Sequence, residues 1–401
     1  MFTPYQKFVV AMLAFLQFTL VLDFMIISPM GALIMPALNI SPAQFGVIVS
    51  AYAFAAGVSG ILAAGFADRF DRKRLLLFFY TGFLVGTLFC GLATTHHALL
   101  FARTLTGLFG GVIGSIVMAI TTDLFPMQMR GRVIGLIQTA FAISQVLGIP
   151  TGLFFSNLWG WDAPFIMIAI LGVVVGCIIA FNLKPVTDHL KHNVARHPIA
   201  HMKDTILNRD YTLAFCATAL LGTGGFLLMP FASDFTVHNL GIDMAHLPII
   251  YLCTGLSSLL ILPMIGRLAD KFGKYPTFVF GGILTITMVL IYTHRGQTAL
   301  PLVVLINVLV FTGIFSRMVP AQAMMSAVPK PSNRGSFMAI SASLQQMSGG
   351  IAAVLAGLIV VRHPDGHLIH YNVAGYVVSL TVLVTMVMLY FINKKVVSEE
   401  A

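Results

Sequence analysis

The sequence predicts an all-α polytopic membrane protein whose twelve transmembrane helices form two pseudo-symmetric six-helix bundles. Three observations predict this fold. The chain has 401 residues, of which 58% are apolar and only 9% are charged, whereas soluble domains average roughly 25% charged residues. Twelve continuous apolar runs are each long enough to cross a membrane, which takes about 20 residues. Short motifs also recur at a nearly constant spacing in the two halves.

This composition excludes several classes of protein. So few charged side chains cannot coat a water-soluble surface of this size, which excludes a soluble enzyme and a nucleic-acid-binding domain. The 4 cysteines lie inside apolar runs, without the spacing of metal ligands or of a disulfide framework. The sequence contains no glycine-rich nucleotide loop and no catalytic constellation. We therefore expect no enzymatic activity, no cofactor, no bound metal and no nucleic-acid partner.

The twelve runs are bounded by glycines, prolines and clusters of charge. They are continuously apolar, whereas the lipid-facing strands of a β-barrel alternate apolar and polar residues. The approximate limits are 8–37, 43–67, 74–95, 98–123, 131–157 and 161–183, then 211–238, 243–269, 275–295, 299–326, 335–362 and 368–393. We expect an N-terminal bundle at 1–183, a cytoplasmic linker at 184–210 and a C-terminal bundle at 211–401.

The basic residues indicate how the helices are oriented. Most of the 23 Lys and Arg residues fall at the N-terminus, in the linker and in alternate short loops, all on one side of the predicted bundle. An excess of Lys and Arg marks the cytoplasmic side of a membrane. We therefore expect a multi-pass protein of the plasma membrane, the inner membrane of a bacterium, with both termini in the cytoplasm.

The two halves of the chain repeat the same motifs at the same places. The repeats are Ala-Asp-Arg-Phe at 67–70 and Ala-Asp-Lys-Phe at 269–272, Arg-Gly at 130–131 and 334–335, and Pro29 and Pro230. Agreeing offsets indicate a duplicated six-helix unit, a symmetry typical of transporter folds. The two prolines are expected to kink the first and seventh spans, as membrane helices tolerate where a neighbour or cavity satisfies the freed carbonyl.

These motifs also carry a resemblance to a known family. Residues 64–74 and 266–274 are similar to the doubled cytoplasmic signature of the major facilitator superfamily, although Ala64 and Asp71 stand where the signature has glycines. Residues 103–111 resemble the fourth-span motif of proton-coupled members. The sequence is therefore identified as a member of this superfamily.

Two further segments indicate a branch of the superfamily. Asp123 followed by Arg-Gly at 130–131 resembles the motif between the fourth and fifth spans, and residues 148–161 resemble the fifth span of drug and sugar efflux members. The resemblance implies a secondary transporter of the twelve-span proton-antiporter branch, which exports small amphiphilic molecules by alternating access. The alternative is a proton-coupled importer or facilitator of a small metabolite or lipid. The implied partners are the substrate, protons and membrane lipid, and we expect a monomer.

Two charged residues lie within the predicted spans of the first half. Asp23 has apolar neighbours on both sides, and an ionised Asp at a helix centre costs about 2.5–3.5 kcal/mol on insertion scales. We expect it to line a cavity and to carry the coupling proton. The alternatives are a structural hydrogen bond or a contact with a substrate cation. For Arg103 the resemblance implies control of the protonation of a first-span carboxylate, and the alternative is a structural arginine.

Two more charges lie in the second half. Asp234 follows Pro230 in the outer part of the seventh span and is expected to be a second proton site or a residue of the outer gate. Arg317 lies toward the cytoplasmic end of the tenth span. It is expected either to bind an anionic group of the substrate or to extend its side chain to the membrane interface.

Candidate substrate contacts are the polar side chains on spans that the resemblance places around a central cavity, or next to it. Each of them is equally apt to form a hydrogen bond between packed helices. The candidates are Gln17, Asp23, Gln138, Asn307, Arg317, Gln345 and Gln346.

The resemblance also implies a cytoplasmic gate. Asp68 is expected to face the start of the eleventh span near Arg334, where a carboxylate gains roughly 0.3–1 kcal/mol from exposed helix N–H groups. Asp270 is expected to mirror it near Arg130. The alternative is that both are ordinary loop charges. The full set of gate candidates is Asp68, Arg69, Arg72, Asp123, Arg130, Asp270 and Arg334.

Overall fold

The computed structural model describes residues 2–63, 70–187, 205–329 and 334–400. Within these ranges, twelve helical segments are long and apolar enough to cross a membrane. This confirms the predicted number of spans and the helical fold class. Much of the predicted linker lies outside the described residues, so the domain boundaries stay a prediction.

The first half of the chain supplies helices α1 to α8. Of these, α1, α3, α4, α5 and α8 are the first, second, third, fourth and sixth spans, and α6 with α7 forms the fifth. Their bounds are α1 Pro4–Ile26, α2 Gly31–Leu38, α3 Pro42–Ala63, α4 Arg72–Leu92, α5 His96–Leu124, α6 Met127–Ile143, α7 Ile149–Trp159 and α8 Ala163–Asn182.

The second half supplies helices α9 to α15 and a short antiparallel hairpin, β1 with β2, before the last span. The seventh span consists of α9 and α10, and α11 to α15 are the eighth to twelfth spans. The bounds are α9 Arg209–Phe226, α10 Ala232–His238, α11 Leu247–Phe272, α12 Lys274–Thr293, α13 Leu300–Ala327, α14 Arg334–Ile359, β1 Val361–Arg362, β2 Leu368–Ile369 and α15 Tyr371–Glu400.

Because the spans run alternately in opposite directions, the bundle has two ends. We call the end where α1 begins and α15 finishes the near end, and the end that carries α2 and the hairpin the far end. At the near end, Phe2 packs edge-on against Phe125 with ring centroids 6.1 Å apart. The Tyr5 hydroxyl accepts a hydrogen bond from the backbone N–H of Lys184 at 3.0 Å. These contacts join the ends of the first, fourth and sixth spans.

Glycines bring helices of the two halves into close contact. A Cβ added at Gly46 of α3 would lie 2.5 Å from the carbonyl oxygen of Ala353 in α14. A Cβ at Gly255 of α11 would lie 2.9 Å from the Cα of Val146 in the fifth span. In membranes, small residues promote such contact, since packing rather than the hydrophobic effect drives association there. The halves therefore meet along the second and eleventh spans and along the fifth and eighth.

The two predicted proline kinks are confirmed. Helix α1 ends at Ile26 and α2 begins at Gly31, and the seventh span is interrupted by the 3-10 turn Met229–Phe231. The sequence did not predict the third irregularity, a π-helical turn at Ser144–Gly148 in the fifth span. Such turns occur mostly inside α-helices and often at functional sites.

The glycine contact between α3 and α14 is open to a direct test. Gly46→Ala places a methyl group against a backbone carbonyl that cannot rotate away, so we expect a loss of about 1–3 kcal/mol of stability. Gly135→Ala is the control, because no described atom lies within 4 Å of the added methyl group. Thermal unfolding of both variants in detergent checks the prediction. Equal melting temperatures would contradict it.

Candidate functional site

The Asp23 side chain is fully buried in the interior of the first half. Arg103 Nη1 lies 2.8 Å from Asp23 Oδ2 and also donates to the backbone oxygen of Asp23 at 3.3 Å. The Thr87 hydroxyl donates a hydrogen bond to Asp23 Oδ1 at 3.1 Å. Both carboxylate oxygens therefore have a partner, and α1, α4 and α5 each contribute one residue to the cluster.

Arg103 is itself fully buried, and an aromatic ring completes its surroundings. Its guanidinium carbon lies 4.6 Å from the ring centroid of Tyr52 in α3. A desolvated cation over an aromatic ring is worth roughly 2 kcal/mol or more. Four helices of the first half thus converge on one ion pair.

Close backbone packing lets these side chains meet. A Cβ added at Gly86 of α4 would lie 2.6 Å from the Thr106 hydroxyl oxygen in α5. A Cβ at Gly107 of α5 would collide with the backbone oxygen of Tyr52 in α3. The glycines therefore hold α3, α4 and α5 close enough for short side chains to reach Asp23.

A cavity of about 380 Å³ lies on the near-end side of this ion pair. It is lined by α1, α3, α5 and α6 of the first half and by α14 of the second. Three amides, those of Gln17, Gln138 and Gln346, share the wall with the hydroxyls of Ser115 and Ser343. No charged side chain of the described residues lines it. The structure thus brings together three of the predicted substrate contacts, whose role in binding stays a prediction.

Tyr52 stands between the cavity and the ion pair. Its ring contacts Arg103, and its hydroxyl oxygen lies 2.9 Å from the Cβ position of Gly110, which neighbours the cavity-lining Gly111. The sequence analysis missed both Tyr52 and Thr87. Their only signal was a polar group on a span, which many unrelated residues share.

The two halves close the molecule at the far end. The Ser233 hydroxyl donates to the backbone oxygen of Ser28 at 3.3 Å, where the breaks of the first and seventh spans touch. Phe45 of the first half packs edge to face against Phe231 of the second, with ring centroids 6.0 Å apart. The Asn157 amide donates to the backbone oxygen of Met244 at 3.2 Å.

Three glycines in the near-end parts of the spans have no described atom beside them. Cβ atoms added at Gly114 and Gly135, in the near-end parts of α5 and α6, would meet no described atom within 4 Å. Gly266 in the near-end part of α11 is equally unobstructed by the described residues.

Asp234 forms a second buried charge cluster at the far end. Its side chain is fully buried, with His238 Nδ1 2.9 Å and Arg362 Nη2 3.6 Å from Oδ1. Arg362 Nη2 also lies 3.2 Å from His238 Nε2. The sequence pointed to Asp234 but not to these partners. Because Arg362 belongs to β1, the cluster ties the hairpin to α10.

The remaining substrate candidates lie apart from the cavity wall. Arg317 of α13 is only 4% exposed, and its Nη2 lies 3.4 Å from the Cβ position of Gly224 in α9. The backbone oxygen of Gln345 lies 2.8 Å from the Cβ position of Gly222. Asn307 is half-buried in the far-end part of α13.

The described gate candidates pair within the first half at the near end. Arg72 Nε lies 3.2 Å from Asp123 Oδ2 and joins α4 to α5. Arg130 donates to the backbone oxygens of Phe125 and Thr122 at 3.0 and 2.7 Å. These bonds satisfy carbonyls at the end of α5 that have no partner within the helix.

The proposed contacts between gate residues of the two halves stay a prediction. Asp270 is exposed near the end of α11. Asp68 and Arg69 lie outside the described residues, and Arg334 begins α14 with a side chain that is likewise not described.

Comparison with known proteins agrees with this architecture. A family model described as Major Facilitator Superfamily matches residues 13–213 and 214–401. The uncharacterized MFS-type transporter YceJ of Bacillus subtilis is 23% identical over 269 residues, which cover 67% of this chain and 68% of that protein. Multidrug resistance protein 3 of the same organism is 28% identical over 151 residues, 38% of this chain and 30% of that protein. Another matching relative is by name a vacuolar membrane amino acid uptake transporter, fnx2 of Schizosaccharomyces pombe, 32% identical over 114 residues, 28% of this chain and 20% of that protein.

Among solved structures, a bacterial homolog of the human lysosomal transporter Spinster, in an inward-facing and occupied conformation, superposes with a TM-score of 0.78. It is 14% identical, and the match covers 98% of both chains. At this identity the likeness shows the fold alone.

The ion pair makes a prediction about stability. Asp23→Asn leaves Arg103 buried without a counter-ion, and Arg103→Gln leaves the carboxylate alone, so each should destabilise by roughly 3–5 kcal/mol. The double variant buries two neutral amides, and its loss should be smaller than the sum of the single losses. Melting temperatures of the three variants in detergent check this. Additive losses would show that the two side chains are not coupled.

Proposed function

The chain belongs to the Major Facilitator Superfamily, and from that premise we propose that it exports small amphiphilic molecules in exchange for entering protons. Membership makes it a multi-pass membrane transporter rather than an enzyme. Direction, coupling ion and substrate are the proposed part. The observation that carries the proposal is the enclosed ion pair of Asp23 and Arg103, which lies between the cavity and the sealed far end.

Protonation of Asp23 would change the charge balance of this enclosed site. An arginine 2.8 Å from the carboxylate stabilises its ionised form in a low-dielectric interior. When a proton neutralises Asp23, Arg103 is left as an unpaired buried charge, a change worth roughly 3–5 kcal/mol. Moving a two-state equilibrium from 1:99 to 99:1 takes about 5.5 kcal/mol. A single proton therefore has about the energy needed to shift the protein between its two conformations.

The transport cycle follows from this linkage. With the ion pair formed, the cavity is open at the near end and takes up substrate. The halves then rock, the near end closes and the far end opens, and the substrate leaves. Water now reaches Asp23 from the far side, a proton binds, and Arg103 separates from the neutral acid. When the far end closes again, Arg103 returns to Asp23 and the proton leaves through the cavity.

The cavity suits a small amphiphilic molecule. Its volume of about 380 Å³ falls within the range of roughly 300–1,000 Å³ usual for ligand pockets. The amides of Gln17, Gln138 and Gln346 offer both donors and acceptors, and Ile137 and Met118 add apolar surface to the same wall. Such a pocket binds a compact apolar body that carries a few hydrogen-bonding groups.

The distribution of Lys and Arg supports a cytoplasmic near end. We assign both termini to the cytoplasm and the protein to the bacterial inner membrane, acting as a monomer with both halves on one chain. In this orientation the described conformation faces the cytoplasm. The gate residues, with Asp68 near Arg334 and Asp270 near Arg130, would then hold the near end shut in the opposite conformation.

Proton coupling is tested by a substitution that removes the titratable group. Compounds that raise the melting temperature of the purified protein serve as substrates in proteoliposomes. Asp23→Asn should abolish uptake against an imposed pH gradient while retaining exchange of labelled for unlabelled substrate, because the rocking movement needs no proton when both sides carry substrate. Initial uptake rates with and without the gradient measure this.

Asp243→Asn is the matched control. Asp243 is exposed in the loop before α11 and accepts a hydrogen bond from the backbone of Ala245, a role that Asn also fills. Its gradient-driven rate should equal that of the unmodified protein. The proposal fails if Asp23→Asn keeps gradient-driven transport, or if protons and substrate cross in the same direction.

A further inference from the structure

Among the described charged residues within the spans, one arginine has no acidic partner. Asp23 faces Arg103 and Asp234 faces Arg362. Arg317 is 4% exposed, its Nε is enclosed without a hydrogen-bond partner, and no described residue forms an ion pair with its guanidinium. An isolated charge in an apolar interior is strongly unfavourable. The second half therefore holds a buried cation that forms no ion pair with any described residue.

Arg317 packs against a glycine of the seventh span. Its Nη2 lies 3.4 Å from the Cβ position of Gly224 in α9, and the hydroxyl of Thr381 in α15 lies 3.7 Å from the same point. A Cβ at the adjacent Gly225 would meet no described atom within 4 Å. Among the described residues, the guanidinium thus faces Gly224 rather than an acid.

Pseudo-symmetry places a glycine of the second half where the first half has Asp23. With the offset that relates Pro29 to Pro230, position 23 corresponds to Gly224, although the same offset relates Arg103 to Val304 and not to Arg317. In the first half, an arginine of the fourth span meets a carboxylate at this place. In the second half, an arginine of the tenth span meets a glycine there.

We infer that the substrate supplies this missing anion, and that the protein transports small amphiphilic acids whose anionic group pairs with Arg317. The inference rests on the proposed transport function and deepens it by naming the charge of the substrate. Guanidinium binds planar carboxylates through two parallel hydrogen bonds. The cavity wall reaches α14 through Gln346, and the neighbouring Gln345 packs on Gly222 of α9, the helix that also carries Gly224.

A cationic substrate fits these charges poorly. The described cavity wall contains no acidic side chain, and Asp23 already has its two partners, Arg103 and Thr87. A cation would therefore meet the repulsion of Arg317 without a free carboxylate in return.

The first test is a binding panel of ring systems, beginning with naphthalene, each in carboxylate, phosphate, carboxamide and ammonium form. We expect saturable binding of the anionic forms. Comparing the carboxylate with the phosphate form shows which of the two anionic groups the protein prefers. Arg317→Gln should raise the Kd of the anions roughly 10- to 100-fold, and Arg317→Lys should raise it less because the charge is kept. Preferential binding of ammonium forms, or no binding of any anionic form, overturns the inference.

The ligand-free protein gives a second readout. Removing an unpaired buried charge should leave the melting temperature of Arg317→Gln unchanged or higher, whereas a structural arginine would destabilise when replaced. A clear loss of stability in this variant contradicts the inference.

Supplying the missing carboxylate within the chain gives an independent test. In Gly224→Asp the new acid lies within reach of Arg317 and should compete with the substrate, so the Kd of anions should rise at least tenfold. Gly224→Asn has nearly the same shape without the charge, so it shows the effect of filling the space alone, and its Kd for anions should rise much less than that of Gly224→Asp. Equal affinities in the two variants overturn the inference.

The two proposals fail in different ways. If Asp23→Asn abolishes proton coupling but the ligands are cations, the proposed function stands and the inference about Arg317 is wrong. If anions bind through Arg317 and no proton moves with them, the inference stands and proton coupling is wrong.

Discussion

The cost of an unpaired charge inside a membrane protein is the constraint on which this structure depends. Asp23 and Arg103 satisfy it together, at 2.8 Å and with neither side chain exposed. Four helices meet at this pair, and glycines such as Gly86 and Gly107 bring their backbones close enough for the contact to form. The pair is stable only while both members are charged. Any event that neutralises one of them therefore acts on the packing of the whole first half.

The contacts between the halves determine how such an event is transmitted. A hydrogen bond from the seventh span to the break of the first and an aromatic contact between α3 and the break of the seventh close the far end. In the near-end parts of α5, α6 and α11, by contrast, some glycines have no described atom beside them. The ion pair lies between the sealed end and the cavity, with Tyr52 as the separating side chain. A change at Asp23 is thus positioned to affect the far-end seal and the cavity together.

The sequence predicted the depth of residues along the spans better than the direction in which they point. Length and apolarity determine twelve spans, and prolines mark the breaks in the first and seventh, so these predictions are confirmed. Asp23 and Arg103 stood out because charges within spans are rare. Spans that are apolar on every face do not reveal which side of a helix meets which neighbour. For this reason Thr87, Tyr52, His238 and Arg362 were not identified as partners, and the π-helical turn in the fifth span was missed.

The central claim is that Asp23 gains and loses a proton as the transporter changes conformation. Infrared difference spectroscopy of the purified protein, recorded as a substrate binds, observes this most directly because the C=O stretch of a protonated carboxyl is distinct from that of a carboxylate. Without substrate the protonated and the ion-paired forms are both populated, and substrate binds the ion-paired form. The account therefore predicts that one protonated-carboxyl band decreases on substrate binding, that Asp243→Asn retains the change and that Asp23→Asn lacks it. A difference band that persists in Asp23→Asn, or the absence of any carboxyl change in the unmodified protein, would contradict the account.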